Sequence, residues 1–298
     1  MRQPAIEVRG LTKRFGANTA VDDLSFQVRG GVVTGFLGPN GAGKTTTIRM
    51  VLGLIRPTSG EAWVMGEHFV DLADPAHRVG VLLDGAGTHP SRTGRNHLRV
   101  LSAERGIDGS RVDEVLRVVE LDREGHRRVG EYSLGMRQRL DLAATLLGEP
   151  EILILDEPAN GLDPAGIHWL RDFLRTFAAN GGTVFVSSHQ LAELSQVADE
   201  VVVINRGRLV THTTVAALTA ARSVRVRARE VDRLRRALAA TGAAVREVDA
   251  ERIDVSDLAI EQVGETAARE GIVLYELVSR ANTLEDVFLE LTAEGAAT

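Results

Sequence analysis

Residues 38–46 read Gly-Pro-Asn-Gly-Ala-Gly-Lys-Thr-Thr, and this stretch decides the fold. It fits Gly-x-x-x-x-Gly-Lys-Thr, with Gly38, Gly43, Lys44 and Thr45 on the fixed positions, Pro39, Asn40, Gly41 and Ala42 on the variable ones, and Thr46 directly after. In such a loop backbone N–H groups converge on nucleotide phosphates. The lysine reaches the terminal phosphates, and the threonine hydroxyl holds Mg²⁺. The bland alternative is a glycine-rich turn. Two features favour the phosphate loop. Only Lys13 and Lys44 among the 35 basic residues are lysines, and a compact ammonium suits a phosphate loop where a planar guanidinium is a different shape. The flanks also fit, with an apolar run at Val32–Leu37 before the loop and one helical face, Ile48, Val51, Leu52 and Ile55, after it.

Bulk properties narrow the class. A chain of 298 residues makes one large or two modest domains, and 44% hydrophobic content supplies a core. The net charge of −6 argues against a nucleic-acid partner. Without cysteine there is neither a disulfide framework nor a thiolate metal site. No apolar run approaches the roughly 18–20 residues of a membrane span, and the first residues lack a signal-peptide apolar core. The expectation is a chain soluble by itself in the cytoplasm, with any membrane role exercised through a partner.

Further strands are expected at Ile6–Leu11, Leu24–Val28, 79–83, Ile152–Leu155 and Thr183–Ser187, with a turn at Pro57-Thr58-Ser59-Gly60 and a hairpin around Arg206-Gly207. From about 93 to 148 the pattern is helical, within an insert of about 88–148. This is an α/β core, mostly parallel, interrupted by a helical insert and extending to about residue 218. Residues 219–298 follow the order β-α-β-β-α-β-α, a small α+β domain of ferredoxin-like type. Its last helix opens on a capping box at Thr283-Leu284-Glu285-Asp286.

Two further constellations carry chemistry. Ile152–Leu155 is an apolar strand that ends in Asp156 and Glu157. Successive side chains of a strand diverge, so Asp156 is suited to organise Mg²⁺ and Glu157 to polarise an attacking water as general base. A solvated strand end is the alternative. Upstream, Tyr132-Ser133-Leu134-Gly135-Met136 opens a helix bearing Leu140, Ala143, Ala144 and Leu147. Ser133 stands at the N-cap, where free N–H groups attract anions. An ordinary capped helix would look the same.

Together these motifs resemble the ATP-binding subunit of an ATP-binding cassette (ABC) transporter, over residues 4–215 and in that family's order. The resemblance implies a P-loop ABC ATPase core of mixed sheet with a helical subdomain, followed by the small C-terminal domain. It places Phe15 where an aromatic ring stacks on adenine, Ser133–Met136 at the signature, and Asn160-Gly161-Leu162-Asp163 at the D-loop. His189 falls at the switch histidine that contacts the γ-phosphate. It implies ATP and Mg²⁺ as cofactors, with Lys44, Glu157 and His189 catalytic and Thr45, Asp84 and Asp156 around the metal. It further implies a head-to-tail pair with a second copy, so that Ser133, Gly135 and Asp163 of one subunit complete the site of the other. A separate transmembrane permease is the remaining partner, placing the chain at the inner face of the cell membrane.

Two departures qualify the resemblance. Leu134 and Met136 replace the usual Gly and Gln of the signature, and Asp84 stands where a glutamine is usual. These features, with Thr93-Gly94-Arg95-Asn96-His97-Leu98, resemble the bacitracin- and daunorubicin-resistance type of bacterial exporter ATPase. A drug, antibiotic or other amphipathic compound is then the implied cargo. Two alternatives stay open: a soluble mechanical ATPase of the same superfamily, and a cassette that binds ATP for regulation and hydrolyses it weakly.

Overall fold

The computed structural model describes residues 3–83, 88–189, 194, 196–220, 222–256 and 258–281. They form two compact units that divide between Thr213 and Thr214.

The first unit begins with β1 (Ile6–Phe15) and β2 (Asn18–Val28). Next come β3 (Val33–Leu37) and the helix α1 (Lys44–Val51), joined by the glycine loop. β4 (Ser59–Val64) follows, then the single turn α2 (Pro75–Arg78) and β5 (Val79–Leu82). The helical insert holds α3 (Gly94–Glu104), α4 (Arg111–Val118) and α5 (Leu134–Leu146). The chain returns through β6 (Ile152–Asp156), α6 (Pro164–Ala179), β7 (Thr183–Ser188), β8 (Glu200–Asn205) and β9 (Arg208–Thr214).

Two sheets result. One has the order β2-β1-β4, paired antiparallel. The other has the order β5-β6-β7-β3-β8-β9, and every pair from β5 to β8 is parallel. β3 and β6 are buried at every residue. That is why their sequences read as unbroken apolar runs rather than alternating ones. Phe26 of β2 meets Phe36 of β3 and Phe185 of β7 at ring-centroid distances of 5.5 and 5.7 Å. This aromatic cluster, with Ile48 and Val51 of α1, forms one core under both sheets.

β1 and β2 run longer than their apolar runs suggest. The chain does turn at Pro57–Gly60, but it enters β4 within that turn, pairing Ser59 with Thr12 and Trp63 with Glu7.

Parallel pairing places the carboxyl ends of β6, β7 and β3 side by side. Asp156 lies opposite Ser187, and Leu37 opposite Ser188. Ligands of open α/β sheets bind at such carboxyl ends.

The second unit contains α7 (Val215–Ala220), β10 (Arg222–Ala228), α8 (Val231–Ala239), β11 (Ala244–Glu247), β12 (Arg252–Ser256), α9 (Ile260–Arg269) and β13 (Leu274–Ala281). Its antiparallel sheet has the order β11-β12-β10-β13, the arrangement of a split βαβ. Val224, Val226, Ile253 and Val255 alternate onto the face that α8 and α9 cover through Leu234, Leu238 and Val263. The expected capping box at Thr283–Asp286 lies outside the described residues.

Candidate functional site

The loop between β3 and α1 is shaped by its glycines. Gly43 caps α1 with φ of 103°, and a Cβ there would lie 2.5 Å from the Ala20 carbonyl oxygen. Gly38 passes so close to Ile204 that a Cβ would fall 2.7 Å from its carbonyl oxygen. Both positions exclude larger residues. The hairpin turn between β8 and β9 holds the loop from outside. Its central residues Arg206 and Gly207 both have positive φ, 48° and 80°, as a two-residue turn between twisted strands demands. The Gly207 N–H donates to the Ala42 carbonyl at 2.9 Å, and the Gly207 carbonyl accepts from the Asp22 N–H at 2.9 Å.

Asn40, Gly41, Ala42, Gly43, Lys44, Thr45 and Thr46 line a cleft of about 360 Å³, joined by Ala20, Glu157, Asn160 and His189. Lys44 is 6% exposed, and its ammonium donates to the carbonyl oxygens of Gly38 at 2.7 Å and Pro39 at 3.4 Å. It also lies 3.3 Å from Glu157 Oε1. The ammonium is thus held on loop carbonyls and a carboxylate at the place where phosphate oxygens would take it.

Asp156 is buried and bonded on both oxygens. Oδ2 accepts from the Thr45 hydroxyl at 2.8 Å, and Oδ1 from the Ser187 hydroxyl at 2.6 Å. The Ser187 oxygen in turn accepts the Glu157 N–H at 3.0 Å. Glu157 itself has φ of 51°, a left-handed backbone that a residue with a long side chain adopts only when its surroundings enforce it. That backbone turns the Glu157 carboxylate toward the loop. Oε1 faces Lys44, and Oε2 lies 2.7 Å from His189 Nδ1. Asp156 and Glu157, adjacent in sequence, therefore serve different partners.

Ser133 caps α5, its hydroxyl accepting from the Met136 N–H at 3.2 Å. Asp163 caps α6 in the same way, accepting from the Gly166 N–H at 2.8 Å. Ser133, Gly135 and Asp163 share a second cleft of about 630 Å³ with Glu124, Arg127 and Arg139. This cleft and the phosphate-loop cleft have no lining residue in common among the described residues. Phe15 is 50% exposed at the end of β1, with Lys13 Nζ 5.0 Å from its ring centroid. It does not line the phosphate-loop cleft. Asp84 lies outside the described residues.

Ser187 and Asp141 are absent from the motif reading. Asp141, on α5, lines a small cavity with Thr45, Gln138, Asp156, Glu157 and Asn160. Burial pushes its carboxyl up to about 6. The available signal is a polar stripe at helical spacing, Gln138, Asp141 and Thr145, on the C-terminal part of a helix whose neighbouring positions Leu140, Leu142, Ala143 and Leu146 are apolar.

Mg²⁺ fits these residues. It is usually bound by one or two carboxylates together with substrate phosphates rather than by a protein cage. Thr45 and Asp156 adjoin a cavity edged by acids, and among the described residues no group of three acidic or histidine ligands forms a closed cage. No helix among the described residues is long and apolar enough to cross a membrane.

Comparison with known proteins agrees with this geometry. Residues 21–160 match the family described as ABC transporter, and residues 222–285 match a domain of unknown function. The chain is 45% identical over 207 residues to the bacitracin transport ATP-binding protein BcrA of Bacillus licheniformis, covering 68% of each chain. It is 37% identical to the daunorubicin resistance ATP-binding protein DrrA3 of Streptomyces coeruleorubidus, covering 99% of this chain and 98% of that one. A solved ATP-binding subunit of an ABC transporter superposes with a TM-score of 0.65 at 28% identity, covering 72% of this chain and 92% of the other. The chain thus belongs to the ABC transporter family as an ATP-binding subunit, and it is an ATPase.

Proposed function

We propose that this chain powers a separate membrane permease that exports a drug, antibiotic or other amphipathic compound, working at the inner face of the membrane as a head-to-tail pair with a second copy. One observation carries the pairing. Lys44, Thr45, Glu157 and His189 line one cleft, while Ser133, Gly135 and Asp163 line another. Neither cleft is a whole site, and a second copy turned head to tail supplies each with the other. The names of the similar bacitracin and daunorubicin proteins support export of an amphipathic cargo.

In this reading the loop N–H groups of Asn40–Thr46 cradle the phosphates, and Gly38 and Pro39 release Lys44 to them. Phe15 carries the purine ring. Thr45 and Asp156, with Asp84, would hold Mg²⁺, which would supply neutralisation of the phosphate charge. ATP entry draws Lys44 away from Glu157, and the freed carboxylate takes a proton from the attacking water as general base. His189, held by Glu157, turns to the γ-phosphate. Ser133 and Gly135 of the partner copy close over that phosphate, and the helical insert passes the closure to the permease.

The test is ATPase turnover of the full chain with its permease, recovered by affinity purification from membranes. Glu157→Gln keeps nucleotide binding and lowers turnover about 10²- to 10⁴-fold, the range for loss of a general base. Equal turnover in the two proteins refutes the catalytic role and leaves a regulatory, weakly hydrolysing cassette. Recovery of no polytopic protein refutes the permease partnership.

A further inference from the structure

The small cavity beside the phosphate-loop cleft has an uneven charge. Its wall carries three carboxylates, those of Asp141, Asp156 and Glu157, together with the neutral polar groups of Thr45, Gln138 and Asn160. No basic side chain lines it among the described residues. Lys44 reaches only Glu157, from the neighbouring cleft. Each oxygen of Asp156 already accepts one hydrogen bond, from Thr45 or from Ser187. Asp141 differs from both. Its Oδ1 is buried and has no hydrogen-bond partner among the described residues. A buried carboxylate oxygen left unpaired costs free energy, so the fold alone gives no reason for an acid at this position.

The cavity, about 110 Å³, has room for several waters. It shares Thr45, Glu157 and Asn160 with the phosphate-loop cleft, so the two adjoin. Mg²⁺ sheds its waters reluctantly and keeps several when it binds phosphates. Those waters are strong donors, and they need acceptors in the protein wall.

We propose that Asp141 is a positioning residue that accepts a hydrogen bond from a water of the Mg²⁺ hydration shell and so fixes the metal on the nucleotide phosphates. The proposal rests on the reading of the cleft as a Mg²⁺-ATP site. Asp141 is not a direct ligand. Groups that hydrogen-bond to a metal's ligands shape metal affinity, and their loss typically weakens it by about 10- to 100-fold.

The test uses the full-length chain and a fluorescent ATP analogue, with Mg²⁺ titrated against a background of EDTA. In Asp141→Asn and Asp141→Ala the Mg²⁺ concentration for half-maximal enhancement of binding rises about tenfold or more. Affinity in EDTA alone stays unchanged, and the Tm is equal or higher because an unpaired buried charge is gone. An unchanged Mg²⁺ midpoint overturns the proposal, as does an equal loss of affinity in EDTA. Failure of both variants to fold also overturns it, since Asp141 would then serve a partner within the protein. Should the wild-type chain show no Mg²⁺-dependent gain, the Mg²⁺-ATP reading itself falls. A wild-type gain matched by the variants removes only the role of Asp141.

Discussion

At the scale of single residues, Ser187 shows how the acids are kept in place. Its hydroxyl donates to Asp156 and accepts from the Glu157 N–H, fully buried between them. Ser187→Ala leaves a buried carboxylate oxygen and a backbone donor unmatched, each costing on the order of 1–3 kcal/mol. It also removes the anchor of a backbone held at φ of 51°. Denaturant unfolding of Ser187→Ala is expected to show a loss of about 2–6 kcal/mol, with ATPase turnover falling alongside. A variant as stable and active as wild type would mean that Glu157 is held by other means. The sequence shows Asp156 and Glu157 plainly because they close an apolar strand. Ser187 stands next to the end of such a strand too, yet nothing local marks it. Only the pairing of β6 with β7 brings it beside Asp156, 31 residues away.

At the scale of elements, the hairpin of β8 and β9 supports the phosphate loop through the hydrogen bond from the Gly207 N–H to Ala42, and a second, from the Asp22 N–H to the Gly207 carbonyl, ties the hairpin to β2. A Cβ at Gly207 would lie 2.8 Å from the Ala20 carbonyl oxygen, on a backbone with φ of 80°. Gly207→Ala therefore strains the turn by about 1–3 kcal/mol and pushes against the strand that borders the cleft. Weaker nucleotide binding together with a lower Tm is the expected result, read by nucleotide titration and thermal unfolding. A lower Tm with unchanged binding would confine the hairpin to a structural part. The hairpin itself is legible, because Arg-Gly between two β-branched runs has little else to be. α6 stands outside the sequence expectations although its signals are sound. Asp163 caps it, Pro164 starts it, and Leu170 and Leu174 are its buried face. Asp163 draws attention as part of a motif, which hides its second part as the start of a helix. β4 is hidden for another reason: its pairing with β1 is long-range, and its first residues are turn formers.

For the whole molecule, the sequence carries more of the site than of its assembly. The motifs identify the residues, but only the fold sorts them into two clefts. Lys44 and Glu157 fall in one, Ser133 and Asp163 in the other. That division has a consequence in genetics. In the proposed head-to-tail pair, a Lys44→Ala chain and a Ser133→Ala chain should each be inactive when paired with themselves, because every composite site is damaged. Mixed, they form hybrids in which the Lys44 of one chain meets the Ser133 of the other, while both lesions gather in the second site. Two null alleles should therefore complement. Random pairing would restore roughly a quarter of the intact sites, measured as ATPase turnover after co-expression. Two lesions within one cleft, Lys44→Ala and Glu157→Gln, should not complement at all.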